Sequence, residues 1–161
     1  MKRKKILVVA AHPDDEILGV GGTICKHVAN GDEVYVCIVT KGYEPQWSRK
    51  FMAAGIAAQK KVDQFLGIKK RYNLDLPTVK LNTIPIGELN RKVTEIVDKI
   101  NPDVVYTHFE NDLNYDHTLV FSSCMVATRP PKRIELLCFE TLSVTEWGSK
   151  TFQPNVWSEI N

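Results

Sequence analysis

The run Lys4-Lys5-Ile6-Leu7-Val8-Val9-Ala10-Ala11 is apolar without interruption once its two lysines are passed, and it stops abruptly at His12-Pro13-Asp14-Asp15-Glu16. A strand with one wet face alternates polar and apolar residues. A short unbroken run is instead the pattern of a strand covered on both faces, as in parallel sheets. From Asp14 to Asn30, Ile17, Leu18, Val20, Ile24 and Val28 recur at mostly helical spacing, with acids in the first turn and Gly31 just past the end. Glu33 to Thr40 reads as a second strand, broken by Lys41-Gly42-Tyr43-Glu44-Pro45. Ser48 to Leu66 is a second helix closed by Gly67, and a weaker strand lies near Arg71 to Leu74. Leu89, Val93, Ile96, Val97 and Ile100 share one face of a third helix, Ile86 to Ile100, which Asn101-Pro102 ends. A fourth strand, Asp103 to Thr107, precedes a polar loop; a helix then runs from about His117 to Thr128, and Ile134 to Glu140 is a fifth strand.

Strands alternating with helices build right-handed βαβ units. The expected architecture is therefore a Rossmann-like α/β fold: an open, mostly parallel sheet of order 3-2-1-4-5 with helices on both faces. At 161 residues the chain suits a single domain over 1–161. With 21 Lys+Arg against 19 Asp+Glu, the net charge of +2 is too balanced for a protein that grips nucleic acid by phosphate neutralisation. The longest apolar run, Ile6 to Ala11, falls far short of the roughly 20 residues that cross a bilayer. Met1-Lys2-Arg3-Lys4-Lys5 imitates a signal peptide, but the apolar stretch behind it ends before any cleavage site, so a cytoplasmic protein with a solvated basic arm is expected. Cys25, Cys37, Cys124 and Cys138 form no Cys-x-x-Cys pair and sit among apolar neighbours, which predicts reduced, buried side chains.

In a sheet of this order, ligands bind where the strand order reverses, at the carboxyl ends of the first and fourth strands. The two densest clusters of ligand-type residues fall there: His12 to Glu16, and His108 to His117. A catalytic zinc takes three His or carboxylate ligands and keeps a fourth position for water, whose pKa drops toward 7. His12, Asp15 and His117 satisfy that set, leaving Asp14 free as a general base. Two plainer readings stand beside it. The acids can simply cap a helix and complement its dipole, and His117 can be a core histidine bonded to Asp116 or to a carbonyl.

Ala11-His12-Pro13-Asp14-Asp15-Glu16 closing a strand, with Asp112-Leu113-Asn114-Tyr115-Asp116-His117 after a later one, resembles the N-acetylglucosaminyl-phosphatidylinositol de-N-acetylase superfamily, often called PIG-L or LmbE-like. The resemblance implies zinc (or another divalent metal such as Fe2+) on His12, Asp15 and His117, with Asp14 as base. It implies hydrolysis of an N-acetyl group from an amino sugar or conjugate, releasing acetate and a free amine. Asn114 stands where many members carry a His that helps stabilise the oxyanion; Asn can donate a hydrogen bond there but carries no proton near neutral pH. On that account the alternative expectation is an impaired relative that keeps the metal and binds a sugar without turnover. Relatives usually continue past the point where this chain stops, so a truncated domain is a further expectation. Asp116 is expected as a carboxylate orienting a neighbouring group, or as a helix N-cap.

Four more residues are candidate substrate contacts. Tyr43 and Trp47 can stack on a sugar ring or pack at the core's edge. Arg129 can meet a substrate anion or complement a helix dipole. His108 can substitute for the missing His. Gly19, Gly21 and Gly22 lie too far behind the first strand for a dinucleotide fingerprint, and close helix packing accounts for them better. The expected partner is a small N-acetylated sugar, and self-association into a homo-oligomer is left open.

Overall fold

The computed structural model describes residues 3–142 and 144–160; Met1 and Lys2 of the basic arm lie outside the described residues. Five strands, β1 (Lys5–Ala10), β2 (Glu33–Lys41), β3 (Lys70–Pro77), β4 (Val104–His108) and β5 (Glu135–Phe139), alternate with four helices, α1 (Asp15–Ala29), α2 (Arg49–Leu66), α3 (Ile86–Ile100) and α4 (Tyr115–Thr128). The sheet order is β3-β2-β1-β4-β5, and every neighbouring pair is parallel. The expected order is therefore observed, and β1 lies between β2 and β4 at its centre.

Strand pleating sends successive side chains to opposite faces, and β1 feeds two cores in turn. Leu7, Val9 and Ala11 pack with Leu89, Val93 and Val97 of α3 and Val120, Cys124 and Ala127 of α4. Ile6, Val8 and Ala10 pack with Val20 and Ile24 of α1. This is why the run has no polar residue. Gly19 serves the second core, because a Cβ there would lie 2.2 Å from the Phe139 ring. Helix α2 buries none of its side chains fully and exposes Phe51, Ile56 and Phe65.

Several boundaries differ from the sequence reading. β3 extends to Pro77 because Tyr72, Leu74 and Leu76 pack inward while Arg71, Asn73 and Asp75 interrupt the apolar pattern. α4 starts at Tyr115 because Asn114 Oδ1 accepts from the Asp116 backbone N–H, so the cap is Asn114 and not Asp116. The cysteines also divide. Cys37 and Cys124 are buried, Cys138 is half-buried, and Cys25 is exposed because the α1 face bearing it turns away from the sheet. Among the described residues, no helix is long and apolar enough to cross a membrane.

Candidate metal centre

Backbone contacts lock the residue that precedes His12. The Ala11 carbonyl accepts from the Thr40 backbone N–H at 2.9 Å and from Thr40 Oγ1 at 2.7 Å, both at the end of β2. The Ala11 N–H donates to His108 Nε2 at the end of β4, at 2.8 Å. His12 then leaves the strand, and its own N–H donates to Asp15 Oδ2 at 2.8 Å, which folds the first turn of α1 back over the strand end. His117 arrives from the first turn of α4, beside β1 because β1 and β4 are neighbours.

Three donor atoms converge. His12 Nδ1 lies 3.1 Å from His117 Nε2 and 3.2 Å from Asp15 Oδ2, and His117 Nε2 lies 3.2 Å from Asp15 Oδ2. Ligands about 2.0–2.1 Å from a tetrahedral zinc stand roughly 3.3 Å apart, so this near-equilateral triangle matches one face of the tetrahedron. The opposite ring nitrogens carry carboxylates: His12 Nε2 lies 3.2 Å from Asp116 Oδ2, and His117 Nδ1 lies 3.1 Å from Asp112 Oδ2. A proton held on His12 Nε2 by Asp116 directs Nδ1 inward, the pattern typical of a ligating histidine, whereas Asp112 stands at ion-pair distance from His117 Nδ1 without an aligned hydrogen bond. Two imidazoles and one carboxylate suit zinc and also other borderline divalent ions.

The charges are tightly coupled. Burial lowers the His12 pKa, but Asp116 and Asp15 outweigh it and raise the group to about 9. Burial likewise opposes the His117 cation, and Asp112 and Asp15 again prevail and raise it. Asp15 is pushed up by burial yet held well below the usual carboxylate range by His117 and His12. Asp14 moves the other way, raised by burial and by the negative charge of Asp15. Its side chain makes no capping hydrogen bond to α1. Glu16 does not cap either; it is 2% exposed and accepts from Arg71 Nη1 at 2.8 Å, while Arg71 Nε and Nη2 hold Asp63.

A cleft of about 580 Å³ opens over the triangle, lined by His12, Asp14, Asp15, Asn114, His117 and Trp47 among others. Asn114 commits its Oδ1 to the α4 cap, which leaves its amide N–H groups as donors. Other expected contacts lie elsewhere. His108 is fully buried behind the triangle, stacked 3.8 Å from the His117 ring, accepting from Ala11 and pushed down by burial to about 3; it cannot reach a substrate. Asp116, 4% exposed, also sits behind His12, with Oδ2 3.2 Å from His12 Nε2, and does not line the cleft. Tyr43 stays outside the lining because Lys80 Nζ covers its ring at 4.3 Å and Trp47 meets its edge at 5.7 Å. Arg129 follows the last residue of α4, about 20 Å along the axis from the cleft end, because the helix runs back toward the amino ends of the strands.

Asp112 is the residue that sequence reasoning left without a role. Besides His117 it holds the Asn114 N–H at 2.9 Å and Thr145 Oγ1 at 2.8 Å. The signal was available, since a ligating histidine usually presents its second nitrogen to a carboxylate.

Comparison with known proteins follows the same outline. The family model for GlcNAc-PI de-N-acetylase (PIG-L) matches residues 7–128, from β1 through the end of α4. An uncharacterised deacetylase of Escherichia coli K12, YaiS, is 27% identical over 164 aligned positions, covering 99% of this chain and 83% of the relative. The 1D-myo-inositol 2-acetamido-2-deoxy-alpha-D-glucopyranoside deacetylase of Rhodococcus opacus B4 is 41% identical over 64 residues, 37% of this chain; that match spans 21% of the Rhodococcus protein's length. The crystal structure of the conserved protein TT1542 from Thermus thermophilus superposes with a TM-score of 0.78 at 25% identity, over 98% of this chain and 72% of that one. With the matched region running through the turns that carry His12, Asp15 and His117, the chain belongs to the GlcNAc-PI de-N-acetylase (PIG-L) family.

Proposed function

We propose that this protein is a zinc-dependent hydrolase that removes the N-acetyl group from an N-acetylglucosamine-type sugar or conjugate. The observation that carries the proposal is the three-atom triangle of His12, Asp15 and His117 with the Asp14 carboxylate, which makes no capping hydrogen bond, beside it in an open cleft. His12, Asp15 and His117 would hold the ion. When bound, zinc supplies Lewis-acid polarisation of a carbonyl and acidifies water.

The chain's own groups do the rest. Asp14 accepts the proton of the attacking water and returns it to the departing amine; burial and the Asp15 charge raise its pKa above the ordinary carboxylate value. The Asn114 amide donates to the oxygen on which negative charge develops, a donor role that needs no titration. Asp112 and Asp116 keep the two imidazoles in the required tautomer and orientation. Trp47, on the cleft wall, offers an apolar face to a sugar ring.

The test is primary-amine release from a panel of N-acetylated glucosamine derivatives, with zinc content measured on the same sample. The intact protein is expected to turn over at least one of them. Asp14→Asn is expected to keep its zinc and to lose about 10²–10⁴-fold in rate, the usual worth of a positioned base. Zinc binding without turnover across the whole panel would overturn the proposal, and an Asp14→Asn protein near full rate would remove the base assignment.

A further inference from the structure

Among the described residues, three besides glycine have left-handed backbone: Asp75, Asn101 and Val79, the last at φ 58°. Asp and Asn tolerate that region, whereas a residue branched at Cβ does not. Something must therefore hold Val79 in place. Its backbone N–H donates to Asp116 Oδ2 at 2.6 Å, and the Leu81 N–H donates to Asp116 Oδ1 at 3.3 Å. Leu81, 1% exposed, anchors the turn in the α3–α4 core. The Val79 side chain is 70% exposed and lines the cleft that holds His12 and Asp14.

The same Asp116 Oδ2 that accepts from Val79 lies 3.2 Å from His12 Nε2. One carboxylate oxygen thus joins the back of a metal-ligand candidate to the strained backbone of a cleft wall. The turn reaches further: Lys80 covers Tyr43, whose ring edge meets Trp47 on the cleft wall near the loop after β2.

We infer that Asp116 is a positioning residue coupling His12 to the Val79 turn, and that Val79 is a specificity-determining wall whose strained form is kept by that coupling. The specificity half rests on the function proposed above. His12, with Nδ1 turned to a metal, would hold its ring in place and keep Nε2–H on Asp116, which would steady the carboxylate for Val79 and Leu81; linkage makes the effect reciprocal.

The test reads amide hydrogen exchange over residues 78–81 in the full chain, metal-free and with zinc ion alone. Zinc is expected to slow exchange at Val79 and Leu81 by about tenfold in the wild type, within the usual range of coupling. In Asp116→Asn a single acceptor oxygen faces three donors, and the zinc effect is expected to shrink below about twofold. Val79→Gly keeps the N–H and relieves the strain, so it is expected to fold, to bind zinc as the wild type does, and to retain zinc-dependent protection. In an Asp14→Asn background, where ligands are not consumed, Val79→Gly is expected to change the affinity ratio of an N-acetylated monosaccharide and its disaccharide by about tenfold, as expected when apolar bulk leaves a pocket wall. Equal exchange with and without zinc in the wild type, or an undiminished zinc effect in Asp116→Asn, would overturn the coupling. An unchanged affinity ratio would overturn the specificity assignment. The exchange measurement uses no sugar, so absence of amine release with intact coupling would count against the proposed reaction alone.

Discussion

Replacing Asp112 by Asn changes one buried oxygen for an amide nitrogen and nothing in volume. Its Oδ1 accepts from the Asn114 N–H, a bond that Asn can keep. Its Oδ2 faces two groups, His117 Nδ1 at 3.1 Å and Thr145 Oγ1 at 2.8 Å. The threonine hydroxyl can rotate to accept, but an amide NH2 set against Nδ1–H is donor against donor. Relief comes if the His117 proton moves to Nε2, which removes the lone pair from the metal-facing nitrogen. Changes to such outer carboxylates typically cost about 10–100-fold in metal affinity, equivalent to about 1.4–2.7 kcal/mol. Competition for zinc against a chelating dye at fixed pH measures the change directly. An Asp112→Asn affinity within twofold of wild type, in a protein that melts normally, would refute the assignment of Asp112 as the group that sets the His117 tautomer.

Other outcomes follow from the electrostatics and the burial. Zinc needs the His12 Nδ1 lone pair, and that group, raised to about 9, carries a proton at neutral pH in the metal-free protein. Apparent zinc affinity should therefore rise about tenfold per pH unit as pH increases toward 9 and level off above it; a pH-independent chelator competition would contradict this. The same shift makes His12 protonation stabilise the metal-free fold fully below its ordinary value of 6.5, a contribution lost as pH rises through about 9, so metal-free melting should soften across that window. Arg71→Met leaves Glu16 buried and unpaired and should cost about 3–5 kcal/mol in urea unfolding, with recovery on adding Glu16→Gln; a loss below about 1 kcal/mol would dismiss the pair as a structural tie. Thiol labelling of the native protein should be fast at exposed Cys25 and absent at Cys37 and Cys124, where burial pushes both thiols up, Cys124 to about 12; rapid modification of either would contradict the packing.

Much of the site could be read from residues because its chemistry is local. His12 and Asp15 are three positions apart at the end of an unmistakable strand, and the topology rule put the loop holding His117 next to it. The observed order β3-β2-β1-β4-β5 is the one expected of a Rossmann-like sheet built from that alternation. What stayed hidden depended on distance along the chain or on direction. Glu16 looked like a dipole acid because its partner Arg71 lies 55 positions away in a strand whose polar edge weakened its pattern. His108 looked available because it ends β4, yet His117 stacks over it. Arg129 looked close because it follows α4, when the antiparallel run of that helix carries it toward the amino ends of the strands. No local rule foretold a valine at φ 58°, since the carboxylate that accepts from its N–H, Asp116, lies 37 positions along the chain.

The position of β1 has one more consequence. His12 hangs from a strand sealed above and below and stitched at Ala11 to both neighbours, so the position of its backbone is set by the hydrophobic interior. Small zinc-binding domains that collapse when stripped treat the cation as their keystone. On the function proposed above a cation would be a tenant in a house that stands without it: chelation should leave the circular dichroism spectrum intact, and the chelated protein should take up zinc, iron or cobalt in turn, each reporting on the same three candidate donors.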